Sequence, residues 1–305
     1  MESMVNFMQI NGIDIEDSFA EAFPMTATRL IITAEDRYWA LRAAEAMTGF
    51  ATSVIACGCE ASIEREITAR ESPDGRPAIA VLLFAMSSKE LEKQTVRRVG
   101  QCVLTCPSTS VFAGMTGEKE LALGSRLRFF GDGYQISKVI GQRRFWRIPV
   151  MDGEFVCEAK TARTAAIGGG NFLVLSESLS GALRACEIAM DAMRQIPNVI
   201  MPFPGGVARS GSKVGSKYKW LTASTNHFYC PTLRPITRSR LPDGVGAALE
   251  VVIDGLTEAD VSRAMRVGIM AACEAGTRHG LKMVTAGNYG GKLGQYHFHL
   301  KDVLS

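Results

Sequence analysis

Glu250 stands in the apolar run Ala248-Leu-Glu-Val-Val-Ile253. A carboxyl among branched aliphatic residues is a candidate for chemistry, because burial disfavours its charged form and raises its pKa. Kept neutral, it can donate a hydrogen bond to developing negative charge. Strand alternation puts Leu249, Val251 and Ile253 on one face and Glu250, Val252 and Asp254 on the other, so a plain solvent-facing glutamate remains open. Just upstream, no acid lies between Asp191 and Asp243, while Arg194, Arg209, Lys213, Lys217, Lys219, Arg234, Arg238 and Arg240 all do. On a chain of formal net charge +3, such a stretch fits an anionic ligand, a partner surface, or a solvated loop paired with acids elsewhere.

The same interval holds Phe203-Pro-Gly-Gly-Val-Ala-Arg-Ser-Gly-Ser-Lys-Val-Gly-Ser-Lys217. Gly206 and Gly211 have the spacing of a phosphate-binding loop. Ser212 and Lys213 are in the wrong order for one, which argues against nucleotide hydrolysis. Glycines still expose backbone N–H groups to another extended ligand. His297 and His299 share a strand face without a third ligand of suitable spacing, so no metal site is expected. His227 and His279 fall in loops, and no Ser/His/Asp or Cys/His order supports a covalent nucleophile. The eight cysteines include no C-x-x-C and mostly sit in apolar runs, as reduced structural thiols do.

The elements that must hold these residues come in two similar halves. Thr28–Ala34 is a strand candidate, followed by a helix with Trp39, Ala43, Met47 and Phe50 at helical spacing. Strands at Ser53–Ala56 and Ala78–Met86 follow, then a helix with Leu91, Thr95, Val99 and Cys102 on one face, opened by the capping box Ser87-Ser-Lys-Glu90. The second half has a strand at Gly170–Leu175 and a helix carrying Leu183, Cys186, Met190 and Met193. After the irregular stretch from Pro202 to Pro242 come the Glu250 strand, a helix capped at Thr257, and a strand pair at Lys282–Ala286 and Gln295–Leu300. This order predicts an α+β fold of two ferredoxin-like (split βαβ) α/β sandwich lobes. The boundary is placed at turns around Gly131–Tyr134 and Pro149, giving an N-terminal lobe 1–149 and a C-terminal lobe 150–305.

With 47% hydrophobic and 21% charged residues the chain can bury a core. The longest strongly apolar stretch, Ala78–Met86, is far short of the roughly 20 residues that span a bilayer. No cationic region precedes an apolar segment at Met1-Glu-Ser-Met-Val, so a cytoplasmic protein with no membrane association is expected.

Several separated runs resemble one family. They are Asn11-Gly-Ile-Asp-Ile-Glu-Asp-Ser-Phe-Ala-Glu-Ala-Phe23, Phe129-Phe-Gly-Asp-Gly-Tyr-Gln135, Pro202-Phe-Pro-Gly-Gly206, Ser212-Lys-Val-Gly-Ser-Lys217 and Ala286-Gly-Asn-Tyr-Gly-Gly-Lys-Leu-Gly-Gln-Tyr296. Together, and in order, they resemble the formylmethanofuran:tetrahydromethanopterin formyltransferases. The resemblance implies two α+β lobes, a homotetramer built from dimers, and a cleft for both C1 carriers near a subunit interface. It implies reversible formyl movement between the amine of methanofuran, or an analogue, and N5 of tetrahydromethanopterin. No tightly bound cofactor or metal is expected; both carriers are substrates. The family's catalytic glutamate maps through Leu249-Glu-Val-Val-Ile-Asp-Gly-Leu256 onto Glu250. The expected substrate-binding residues are Gly205, Gly206, Ser212, Lys213, Ser216, Lys217, Asn288 and Lys292.

The chain departs from the family in a short extension, Met1–Met8, and in being slightly basic where methanogen versions are acidic. The second departure favours the methylotroph form, a subunit of a formyltransferase/hydrolase complex with hydrolase partners. Two rival readings are a non-catalytic scaffold in such a complex and an RNA-binding ferredoxin-like module. Lys217-Tyr-Lys-Trp220 interleaves cations and aromatics, yet no RNP-like strand sequence is present, so nucleic acid is not the expected partner.

Overall fold

The computed structural model describes residues 7–305; the first six residues of the Met1–Met8 extension lie outside the described residues. The chain forms two compact units. One comprises residues up to Pro24 together with Ile167–Ser305, and the other Met25–Ala166. They differ from a cut at 149/150 in two segments. The N-terminal segment joins the C-terminal half because the strand Ile13–Glu16 pairs in parallel with Leu281–Thr285. Residues 150–166 stay with the first half because Gly153–Glu158 pairs with Arg143–Val150 and with Ser110–Ala113.

In the Met25–Ala166 unit, the strand Phe19–Thr33 lies, from Thr26 onward, between Ala78–Ala85 and Ser110–Ala113, with Glu60–Ile67 beyond Ala78–Ala85. Every residue of Ala78–Ala85 is buried, as its unbroken apolar run requires. Helices Arg37–Thr48 and Ser88–Arg98 supply Ala40, Ala43, Ala44, Met47 and Leu91 to the core. Ser87 caps the second helix, its hydroxyl accepting from Glu90 N at 3.3 Å. The Glu90 carboxylate accepts from Lys93 and Gln94 instead of closing the capping box.

Four expectations fail here. Ser53–Ala56 is not a strand: Val54–Cys57 is a helical turn, with Ser53 Oγ accepting from Ile55 N and Glu60 from Val54 N, and the strand begins at Glu60. Phe50 is not on the helix face. The helix ends at Thr48, and Phe50 has φ 53° and is 80% exposed. Trp39 sits at the helix's solvent edge. Gly131–Tyr134 is a turn, but the region to Pro149 is a hairpin of Ile136–Ile140 with Arg143–Val150 rather than a linker.

In the other unit, Thr164–Ser176 pairs on one side with Ala247–Gly255 and on the other with Leu281–Thr285. Val199–Ile200 and Val207–Ala208 add to the outer edge of Ala247–Gly255. Helices Leu179–Met193 and Glu258–Gly276 pack through Cys186, Met190 and Met193 on one and Met265, Ile269 and Ala272 on the other. Leu183 is 43% exposed; the buried face runs through Ala182, Ala185, Cys186 and Ala189 instead. The last two strands are not partners. Tyr296–His299 pairs with Phe19–Ala22, while Leu281–Thr285 lies beside Thr164–Ser176.

No helix among the described residues is long and apolar enough to cross a membrane. At the head of Glu258–Gly276, Thr257 Oγ1 accepts from Asp260 N at 3.1 Å and donates to the Asp260 carboxylate at 2.6 Å. Losing such a cap costs about 1 kcal/mol. Thr257→Ala should therefore lower the thermal midpoint measurably, whereas Thr257→Ser, which keeps the oxygen, should restore most of it.

Candidate active site

Glu250 lies in the middle of Ala247–Gly255, opposite Leu173 on one side and Ala208 on the other. Leu249, Val251 and Ile253 point into the core, which turns Glu250 to the opposite face. Two backbone segments close over that face at glycines. A Cβ at Gly211 would lie 3.2 Å from one carboxyl oxygen of Glu250, and a Cβ at Gly287 would lie 3.4 Å from the other. A methyl at Gly211 would be tight against the carboxyl, and one at Gly287 would be tighter still against Asn171 Oδ1, at 3.1 Å. The side chain keeps partial exposure towards a cleft lined also by Ala208, Arg209, Gly211, Thr225, Asn226, Tyr229 and Cys230. Burial pushes its pKa up to about 7, with no charge or hydrogen bond among the described residues offsetting it. The acid is thus poised between proton donor and base at neutral pH.

The loop that brings Gly287 there is held by two buried side chains. Asn171, on Thr164–Ser176, accepts from Gly287 N at 2.6 Å and donates to Gly287 O at 3.0 Å. Glu21, 1% exposed, accepts four backbone N–H bonds from the same loop. Tyr289 N and Gly291 N bond one oxygen at 2.7 and 2.8 Å, and Leu293 N and Gly294 N bond the other at 2.6 Å each. Burial alone would raise the Glu21 pKa; the four N–H groups together outweigh it and hold the carboxyl below the usual range. Tyr289 is half-buried, packs on Phe23 and lies beside Ser212. Burial raises its phenol pKa, and the negative charges of Glu250 and Glu21 add to that.

The residues expected to bind substrate separate into two groups. Ser212, Lys213 and Ser216 are on or beside the small hairpin of Ser212–Val214 with Ala223–Thr225, which begins next to Gly211 and so next to Glu250. Ser212 lies beside Tyr289, and Ser216 Oγ accepts from Tyr218 N at 3.0 Å. Lys213 is half-buried, while Lys217 and Lys292 are exposed.

Three other expected residues have work within the fold. Gly206 is buried at φ 85° in a turn closed by its N–H to Phe203 O, and a Cβ there would meet Met190 Sδ at 1.9 Å. Gly205, beside it, is exposed at φ 66° with open space around it. Asn288 donates to Phe19 O at 3.2 Å and accepts from Gly290 N at 3.1 Å, which turns the loop.

The basic interval is likewise partly spent inside the protein. Arg234 binds the carbonyls of Pro242 and Val245 at 2.9 Å each, Arg240 lies over Phe228, and Arg194 pairs with Asp191. Arg209 lines the Glu250 cleft. His297 and His299 stack against Phe19, and among the described residues no three His, Cys, Asp or Glu side chains cluster as a metal site.

Sequence reasoning missed Glu21, Asn171, Gly211, Gly287 and Tyr289 as parts of the site. Glu21 carried a faint signal, an acid between Ala20 and Ala22 in an otherwise apolar segment. Asn171 gave none beyond a polar residue inside a strand.

Residues 8–150 match the family described as formylmethanofuran-tetrahydromethanopterin formyltransferase, and residues 153–303 match its proximal lobe. The chain is 60% identical over 298 residues to the formyltransferase of that name from Methylococcus capsulatus, covering 98% of this chain and all of the relative. It is 51% identical to a subunit of the formyltransferase/hydrolase complex of Methylorubrum extorquens, with 97% of each covered. A chain in the crystal structure of that complex with methylofuran superposes at TM-score 0.96, with 50% identity over 98% of this chain and 99% of that one. The Methanosarcina barkeri formyltransferase superposes at 0.91, with 45% identity over 97% and 100%. With both halves matched and the whole length covered, the chain belongs to the formylmethanofuran–tetrahydromethanopterin formyltransferase family.

Proposed function

We propose that this chain moves a formyl group reversibly between N5 of tetrahydromethanopterin and the amine of methanofuran or an analogue, within a ternary complex, in C1 metabolism. Family membership over the whole length supports the activity. The observation that carries the mechanism is Glu250, a carboxyl pressed between Gly211 and Gly287 with its pKa pushed up to about 7.

In the proposed reaction the acceptor amine attacks the formamide carbon. A C–N bond forms, and the carbonyl π electrons move to oxygen as an oxyanion. A neutral Glu250 donates a hydrogen bond to that oxygen, worth about 3–4 kcal/mol for such donors elsewhere. Collapse re-forms the carbonyl and expels the nitrogen of the formyl donor, which takes up the proton that the attacking amine loses. Holding both carriers together supplies further acceleration. Ser212, Lys213, Ser216 and Lys217 next to the cleft, and Asn288 and Lys292 on the C-terminal loop, are proposed to position them, with Gly205 and Gly206 shaping the approach. Lys213 and Lys217, with Arg209, suit the carriers' anionic ends.

We read each unit as a ferredoxin-like lobe, supported by the strand–helix–strand order and by pairing in which the first strand sits between third and fourth. The assembly we propose is a homotetramer of paired dimers, associating with hydrolase subunits as the Methylorubrum extorquens relative does by its name.

Glu250→Ala should lower kcat by about a hundredfold or more without unfolding the protein. Glu250→Gln keeps an N–H donor and should lose less. Wild-type kcat/KM should fall as pH rises through about 7, because the neutral acid is the active form, and the Gln variant should be flat there. An unchanged rate in Glu250→Ala would discard this mechanism while leaving the family intact. Lys213→Glu combined with Lys217→Glu should raise the KM of at least one carrier; two unchanged Michaelis constants would remove these lysines from the site.

A further inference from the structure

Glu21 is shut away from solvent, yet it bonds four of the six residues from Tyr289 to Gly294. A buried anion with four short donors fixes the path of a whole loop. That loop begins at Gly287, tied separately to Asn171, and Gly287 backbone forms one wall against Glu250. Tyr289, whose N–H is bonded to Glu21, reaches Ser212 beside the other wall at Gly211. The Gly287 wall of the Glu250 slot therefore leads back to one carboxylate, and Tyr289 of the same loop lies against the segment that forms the other wall.

We propose that Glu21 is a positioning residue for formyl transfer: its carboxylate clamps the 287–294 loop against Glu250 and keeps water from the catalytic carboxyl. This rests on the functional reading above and deepens it. Glu21 is suited to the task because it stays ionised across the working range, so the clamp does not loosen near neutrality. A glutamine would not replace it. Its amide offers one accepting oxygen, and its NH2 would face two N–H donors that it cannot satisfy. With the loop released, water would reach Glu250 and the cause of its raised pKa would fade. The titratable groups around Glu250 are Arg209, Tyr229 and Cys230 in the cleft, Tyr289 with Glu21 behind it, and Asp254 on its own strand. None of them is removed when Glu21 becomes Gln, except the charge of Glu21 itself.

The test compares full-length wild type with Glu21→Gln and, as a second route to the same loop, Asn171→Ala. Amide hydrogen exchange at Tyr289, Gly291, Leu293 and Gly294, titration of the Glu250 carboxyl by carbon-13 NMR, and steady-state kinetics are measured on each. In Glu21→Gln we expect faster exchange at the four amides and a Glu250 titration moved down from about 7 towards the ordinary carboxylate range. We also expect kcat to fall about a hundredfold, with KM changed far less. Asn171→Ala should move all readouts the same way by a smaller amount, which keeps the proposal testable if Glu21→Gln does not fold. Faster exchange with an unmoved Glu250 titration and unchanged kcat would overturn it, as would unaltered exchange. Exchange and titration need no substrate, so wild type inactive in formyl transfer would sink the functional reading without deciding the clamp.

Discussion

A single buried carboxylate organises the candidate site. Glu21 gives up hydration and receives four backbone N–H bonds in return, two on each oxygen. Charge-assisted bonds of this kind contribute about 1.5–3 kcal/mol each when made, and leaving the charge buried without them would be far more costly. The loop from Gly287 to Gly294 contains four glycines and has little intrinsic preference for one shape. Its conformation is imposed by the anion beneath it. Asn171 adds a second tie at Gly287, and Asn288 a third at Phe19.

The contrast between Glu21 and Glu250 shows how surroundings set the behaviour of two acids in neighbouring apolar segments. Both are desolvated. Glu21 has donors enough to hold it below the usual carboxylate pKa, while Glu250 has none among the described residues and is driven up to about 7. One is thereby fitted to hold structure at every working pH, and the other to exchange or share a proton near neutrality. The two glycines flanking Glu250 bring backbone close to it, which desolvates the acid.

The basic interval illustrates why charge along a sequence is an uneven guide to ligands. Arg234 is consumed by loop carbonyls, Arg240 by an aromatic face and Arg194 by an acid one helical turn away. Arg209 lines the cleft, and the Lys213–Lys217 segment belongs to a short hairpin and its loop that follow the wall at Gly211. Similarly, Gly206 reads as a ligand-binding glycine in sequence, and in the fold it is also buried in a turn packed on Met190.

The sequence by itself determined the long helices, strands such as Ala78–Ala85 and Ala247–Gly255, the family, and the position of Glu250 opposite a core-facing row of aliphatic residues. Those features depend on local periodicity, caps and contiguous motifs, all of which are written along the chain. It misread Ser53–Ala56, where a serine cap and the Glu60 carboxylate favour a helical turn over apolar strand propensity. It misplaced Leu183 because helical spacing admits two adjacent faces, and packing against Glu258–Gly276 selects the one lined by alanines. Only the tertiary structure decided that residues 7–24 join the C-terminal half, that Glu21 lies under a loop some 270 positions away in sequence, and that Gly211 and Gly287 meet across one carboxyl. These are contacts between distant segments. Whether an acid is charged or neutral depends on the donors they bring to it, and no local pattern of residues specifies those.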